Sequence, residues 1–478
     1  MKKANTIKKA ASILALLLLM LGCERGLSDD VEFASFPTNG DLYIDAPVGL
    51  TDEFFVSFDP AAGANTEGFG TDNNTAYSGA SSIRIDVPAQ NDPNGGFIGG
   101  IFLDRGNGRD LSGFDALTFW AKGSTTAIMG LAGFGTDFVA DKFAVARENI
   151  QLSTDWRKYT IPIPDPSKLI QEKGMFIFSA GTNSTSGFGY TFWIDELRFE
   201  NLGTIAQPRP KIFGGQDITQ QSFVGTTIDV TDLSQTFNTE DGTNITVSAA
   251  PYFYDFQSSN LDVAIVNEGG EIDIIGEGVA TITAQLGGVL AEGSVEISSV
   301  GQFNFAPTPT QDPSAVVSIF SDAYTDIPVS RYNSFFEPFQ TTLGGVVPIG
   351  DQSIISYTNL NFVGIVFNDI IFPAEAVSLV NATDLNTLHV DINVQELVQT
   401  DDQLLLQLTN YGATETVGSY VINGDELQQN TWVSFDIPLS SFSGLSDKSR
   451  IGLLLFNSES GPANVTISNI FLDNIYFY

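Results

Sequence analysis

From about residue 40 onward the chain alternates apolar and polar positions in short runs, and helical spacing is almost absent. Ser82-Ile-Arg-Ile-Asp-Val87, Leu117-Thr-Phe-Trp120, Lys158-Tyr-Thr-Ile-Pro-Ile163 and Thr281-Ile-Thr-Ala284 are clear cases. Each is bounded by Gly, Asn, Asp or Pro, so each predicts a strand that buries one face. Many short strands broken by turn residues predict an all-β chain of sandwiches. Proline clusters set the boundaries. Pro208-Arg-Pro210 closes a first unit, 40–205, and a Pro-rich linker at 301–312 separates a middle unit, 208–300, from a third, 313–478.

The first and third units read as divergent copies. Leu117-Thr-Phe-Trp-Ala-Lys122, then Trp156-Arg-Lys-Tyr-Thr-Ile-Pro-Ile163, then Trp193-Ile-Asp-Glu-Leu-Arg-Phe199 have counterparts later in the chain. These are Leu388-His-Val-Asp-Ile-Asn393, Trp432-Val-Ser-Phe-Asp-Ile-Pro-Leu439 and Phe471-Leu-Asp-Asn-Ile-Tyr-Phe477. Like features at nearly equal spacing predict one architecture used twice.

Composition narrows the chemistry. The 478 residues hold 57 Asp and Glu against 21 Lys and Arg, a formal charge of −36. Nucleic acid is therefore a poor partner, because phosphate contacts need a basic face. One Cys and one His exclude an intrachain disulfide and a Cys/His zinc cluster. His389 lies between Leu388 and Val390 on a predicted strand, which favours a structural or solvent-facing role. Glu271-Ile-Asp-Ile-Ile-Gly-Glu277 is the one run with the look of a paired-carboxylate glycosidase, but its third acid follows a glycine and falls inside the middle unit. The reading is of a protein without a catalytic centre; the alternatives are a polysaccharide-degrading enzyme whose acid pair lies in an unmatched loop of the first or third unit, and an adhesive or structural surface protein.

The N-terminus predicts targeting. Lys2, Lys3, Lys8 and Lys9 precede an apolar run, Ala10 to Gly22, too short to span a bilayer. Leu19-Met-Leu-Gly-Cys23 resembles a bacterial lipobox, with Met20 where Leu is usual. The resemblance implies a lipoprotein signal peptide at 1–22, a lipidated Cys23, a tether at 23–39 and an outer-membrane location facing the exterior.

Three further resemblances give the expected architecture. Tyr77-Ser-Gly-Ala-Ser-Ser-Ile-Arg84, the Trp-x-x-Tyr/Phe-x-Ile-Pro strand and the closing strand with its Asp resemble jelly-roll carbohydrate-binding modules. Ser318-Ile-Phe-Ser-Asp-Ala-Tyr-Thr325 and Asp473-Asn-Ile-Tyr-Phe-Tyr478 extend that likeness to the third unit. Ser258-Ser-Asn-Leu-Asp-Val-Ala-Ile-Val266 with Gly276-Glu-Gly-Val-Ala-Thr-Ile-Thr-Ala284 resembles a bacterial immunoglobulin-like domain of the second group. The expected order is jelly roll, immunoglobulin-like spacer, jelly roll.

The resemblance implies non-catalytic capture of a neutral polysaccharide, with a β-1,3-glucan such as laminarin as the expected ligand, for a porin-coupled glycan transporter of the Sus type. It also implies structural Ca²⁺, held by Asp195 in the first unit (with Asp45 or Asp72 as the early partner) and by Asp322 with Asp473 in the third. The four Trp lie in predicted strands and are expected in the cores. Loop aromatics are the expected ligand contacts: Phe134, Phe138, Phe188 and Tyr190 in the first unit, and Tyr332, Phe335, Phe336, Phe339 and Tyr411 in the third.

Overall fold

The computed structural model describes residues 35–478 except 52, 335, 337, 368–378, 413 and 459–466. The expectations at Cys23, the signal peptide, most of the tether and Phe335 lie outside the described residues. The chain is all-β; among the described residues there is no α-helix. It divides into two compact units, Met1–Ile205 and Ala206–Tyr478.

The first unit is a sandwich of two antiparallel sheets. One runs Arg157–Pro162, Ala116–Gly123, Tyr190–Glu200. Beyond it, the far edge of Tyr190–Glu200 is shared by Ser82–Val87 along its first half and Asp41–Ile44 along its second. The other sheet runs Val145–Gln151, Ile128–Phe134, Gly174–Ala180, Ile98–Leu103, Phe55–Ser57. Pleating sends Leu117, Phe119 and Ala121 inward, all fully buried. Phe119 meets Phe176 edge-on at 5.6 Å and Phe192 meets Phe178 at 6.2 Å, so aromatic pairs tie one sheet to the other. Arg109 is buried beneath the N-terminal segment. Its guanidinium donates to the carbonyls of Asn39, Asp41 and Val48 at 2.7–3.0 Å, with the Asp104 carboxylate 3.9 Å away.

The second unit holds two sandwiches. The middle one pairs Asp217–Val224 in parallel with Ser294–Gln302, then adds Gly278–Leu286 and Tyr254–Ser258. Glu271 and Asp273 of the glycosidase-like run project outward from the short strand Glu271–Ile274; each accepts a hydrogen bond from a neighbouring side chain, so they form a solvated face. The other sandwich repeats the sheet of the first unit that is built on Ala116–Gly123 and Tyr190–Glu200. Its closing strand Ile470–Phe477 lies beside Thr387–Val394, which lies beside Trp432–Pro438, and its far edge is shared by Gln352–Thr358 and Val317–Phe320. The register matches residue by residue. Lys122, Trp120 and Thr118 face Trp193, Asp195 and Arg198; Asn393, Asp391 and His389 face Phe471, Asp473 and Tyr476. Both closing strands carry a bulge at the residue after the Asp, with φ +47° at Glu196 and +49° at Asn474.

The middle and third sandwiches, expected as separate bodies, form one compact unit. The linker between them is the reason. Phe303 is buried against Phe471 and Trp432, and the Trp432 indole N–H donates to the Asn304 carbonyl at 2.6 Å. The Asn474 amide donates to the Pro307 carbonyl at 3.1 Å. The Pro-rich segment is packed onto the third sandwich.

His389 is buried and stacked on Tyr476 at 4.5 Å. Its Nδ1 lies 2.6 Å from Asp436 and its Nε2 3.5 Å from Asp391. Burial works against its charge, but the two carboxylates outweigh it and hold its pKa above the ordinary value. Burial pushes the neighbouring Asp473 up to about 7, with Asp322, Asp391 and Asp326 adding to the rise.

Two outcomes are expected. Arg109→Met leaves three carbonyls and a buried carboxylate without their donor, so the first unit is expected to lose about 3–5 kcal/mol; an unchanged urea midpoint would show that the anchor is idle. A raised folded-state pKa means stability present below the unfolded value and lost as pH rises through the folded one. His389 therefore stabilises the second unit fully below about pH 6.5 and loses that contribution above it. Asp473 acts in the same direction between about pH 4 and 7. His389→Gln is expected to flatten the fall in denaturation midpoint above pH 6.5; an identical slope in both proteins would exclude the His389–Asp436 pair as its source.

Candidate functional site

The outward face of the sheet built on Ala116–Gly123 and Tyr190–Glu200 is where the first unit gathers aromatic and charged side chains. Trp120 and Lys122 share the outward phase of one strand, Trp193 and Asp195 that of the next. Cross-strand partners fix their order: Arg84, Trp193 and Lys122 in one row, Asp195, Trp120 and Lys158 in the row beside it. Trp120 and Trp193 are thus diagonal neighbours, about 7–8 Å apart along the backbone.

A third aromatic comes from the loop after Phe69–Asp72. The Tyr77 ring lies flat on Trp120, centroids 3.8 Å apart and planes 11° from parallel, and stays 42% exposed. Trp156 approaches its edge at 5.9 Å. The Lys122 ammonium stands 5.8 Å from the Trp193 ring centroid, within cation–π range.

The loop is held by two carboxylates. Asp195, fully buried, accepts from the backbone N–H of Tyr77 at 2.8 Å and Ser78 at 3.1 Å through Oδ2, and from Glu196 through Oδ1. Asp45 accepts from Ala80 at 2.5 Å and Ser81 at 3.0 Å. Burial raises the Asp195 pKa despite these N–H donors, and the nearby Asp45 adds to the rise. The N–H groups of Ala80 and Ser81 lower that of Asp45. The Trp193 indole N–H donates to Asp72 at 2.8 Å, which fixes the ring's tilt. Around this row lie Arg84 paired with Asp86 and Lys158 paired with Glu200. The surface offers ring faces flanked by both hydrogen-bond donors and acceptors.

The expected calcium ligands take hydrogen bonds from backbone N–H groups. In the first unit Asp195 accepts from Tyr77, Ser78 and Glu196, and Asp45 from Ala80 and Ser81. In the third sandwich Asp473 accepts from the Asn474 N–H and Asp322 from the Ser353 N–H. Among the described residues no group of three or more His, Cys, Asp and Glu is placed to hold a metal ion.

The expected ligand aromatics divide. Phe134 is fully buried, packed edge-on against Phe199, and cannot face a ligand. Tyr190 is buried with its hydroxyl donating to the Ile128 carbonyl, and burial pushes its pKa up to about 12. Tyr332 donates to the Ile319 carbonyl and packs on Phe320. Phe336 stacks on Phe362, and Tyr411 is half-buried. Phe138, Phe188 and Phe339 are exposed. None of these joins the row of Trp and Tyr.

Conversely, Trp120, Trp156 and Trp193 are half-buried on the surface row, where core packing was expected. The signal was present in the phase of alternation: Trp120 shares its parity with Thr118 and Lys122, opposite to Leu117 and Phe119.

The third sandwich does not reproduce the row. Asp391 stands in the place of Trp120, Asn393 in that of Lys122 and Phe471 in that of Trp193. Phe303 covers Phe471 and Trp432.

Residues 55–201 match the sequence profile of the family described as carbohydrate binding domain 30. No curated protein matches the chain. Among solved structures, the family 30 carbohydrate-binding module of a cellulosomal cellulase of Clostridium thermocellum is 17% identical. It aligns over 35% of this chain and 95% of its own, with a TM-score of 0.23. A tandem of two family 22 modules from a Paenibacillus barcinonensis protein is 9% identical over 94% of this chain and 98% of its own, with a TM-score of 0.21. A β-1,2-glucanase from Parabacteroides distasonis is 9% identical over 56% of this chain and 40% of its own, with a TM-score of 0.25. By the profile match, residues 55–201 of the first unit are similar to a carbohydrate-binding domain.

Proposed function

We propose that the protein captures a neutral polysaccharide without cleaving it, and that the outward face carrying Tyr77, Trp120, Trp156 and Trp193 is the capture surface. One observation carries the reading: three Trp and a Tyr gathered at the surface of a sheet, where aromatic side chains would ordinarily be buried. Ring faces stack on the apolar C–H faces of pyranoses, and the flanking Lys122, Arg84, Asp86 and Lys158 suit hydroxyls as donors and acceptors. The profile match over residues 55–201 supports the same reading. The formal charge of −36 favours an uncharged glycan, for which β-1,3-glucan is the expected case. Lipidation at Cys23 would hold the protein at the outer membrane facing outward, and a porin-coupled transporter would receive the glycan.

The test is affinity electrophoresis of the full chain against β-1,3-glucan, mixed-linkage glucan, xylan, mannan, starch and alginate, each also assayed for reducing sugar. Retardation by a neutral glycan without sugar release is expected, and Trp193→Ala is expected to weaken it at least about tenfold. Sugar release would replace capture with hydrolysis, and retardation unaffected by Trp193→Ala would remove the platform from the reading. With N–H donors on the loop carboxylates, EDTA is expected to leave binding unchanged; binding lost to EDTA and restored by Ca²⁺ would show that capture depends on a metal.

A further inference from the structure

The second unit contains a cleft of about 850 Å³ between its middle and third sandwiches. That volume lies within the range of small-molecule sites. Its lining is chemically selective. None of the residues that line it is charged, although the chain holds 57 acidic and 21 basic residues. Its polar side chains are amides and hydroxyls, set among apolar residues. Gln220, Gln221 and Gln302 come from the paired first and last strands of the middle sandwich; Asn393, Asn430 and Asn469 face them from the third. Between the two sets lies an apolar floor that includes Phe223 and Phe471, half-buried and in edge contact at 6.2 Å.

Part of this lining is held in place from behind. Asn393, buried, accepts from the Gln395 side chain at 2.8 Å; the Gln395 carbonyl accepts from the Gln429 side chain at 3.0 Å; and Asn469 donates to Glu396. By contrast, Gln220, Gln221, Gln302 and Asn430 are exposed, and among the described residues their side chains have no hydrogen-bond partner. Their donors and acceptors are available to a ligand. An amide gives and takes hydrogen bonds at once, as a sugar hydroxyl does, and the Phe rings suit the C–H face of a pyranose. The missing charge disfavours uronates and phosphates.

We propose that this cleft is a second binding site, for a short stretch of neutral oligosaccharide, formed jointly by the middle and third sandwiches. The ligand class rests on the reading of the first unit as a glycan-capture module; the position and lining do not. In this arrangement the middle sandwich supplies half of a site and is more than a spacer. The third sandwich contributes the face that, in the first unit, carries the Trp row.

The test separates the two sites by mutation. Laminarihexaose and cellohexaose are titrated calorimetrically into the full chain, into Trp120→Ala/Trp193→Ala, and into that variant with Gln302→Ala and Asn430→Ala added. Gln302 and Asn430 are exposed, and unchanged thermal melting checks that the fold is intact. The expected result is binding of one equivalent in the platform variant, weakened at least about tenfold by the added changes. Binding by the wild type but none by the platform variant would overturn the cleft and leave the platform reading standing. Residual binding insensitive to the added changes would also overturn it. Binding equal in the wild type and platform variant, and lost with the added changes, would support the cleft and sink the platform. No binding of either probe by the wild type would overturn the cleft and count against the platform.

Discussion

The exposed face of the first unit depends on one buried carboxylate. Asp195 lies at the bulge of the closing strand, with no access to water, and accepts from the backbone of Tyr77 and Ser78. A carboxylate removed from solvent must find donors, and here the donors are the loop. The loop in turn lays Tyr77 on Trp120, and that stack builds the platform. Burial and N–H bonding pull the Asp195 pKa in opposite directions, and burial prevails. The same strand position is kept in the third sandwich, where Asp473 faces Asp391 across the ladder. One backbone solution thus supports two surfaces of different chemistry.

Much of the fold was legible in the alternation. Period-two runs announced strands, and the paired Trp-x-x-x-x-Ile-Pro and Asp-bearing closing strands announced two copies whose cross-strand register proves identical. The aromatic face is legible in principle, but only through phase: a strand has two faces, and parity decides which residues reach the core. Thr191 and Trp193 share one parity and are half-buried; Phe192 and Ile194 have the other and are fully buried. Loop position was equally misleading for Phe134, which occupies the last position of its strand and packs inward against Phe199.

What the sequence could not disclose was tertiary. Whether the outward Trp432 meets solvent or protein depends on where residues 303–305 travel, and no local pattern encodes that path. The Pro-rich composition around Pro307 and Pro309 reads as a free, extended spacer. Phe303 makes the difference, because an apolar side chain next to an exposed Trp and Phe lowers its free energy by covering them. Hydrogen bonds from Trp432 to the Asn304 carbonyl and from Asn474 to the Pro307 carbonyl then fix the segment.

This divergence explains how a repeated architecture can serve unlike roles. An outward aromatic row must either meet a ligand or be covered, since exposed apolar rings otherwise remain in unfavourable contact with water. The first unit keeps its rings accessible and frames them with Lys122 and Arg84. The third replaces Trp120 with Asp391 and Lys122 with Asn393, which removes both a stacking surface and the cation beside it. Its remaining rings, Trp432 and Phe471, are then free to hold the middle sandwich through Phe303 and Phe223. The amides left at the edge of that contact border a cleft that neither sandwich has alone. Three outward positions differ between the two copies, and Phe303 and Phe223 complete the change from an accessible aromatic row to a joint.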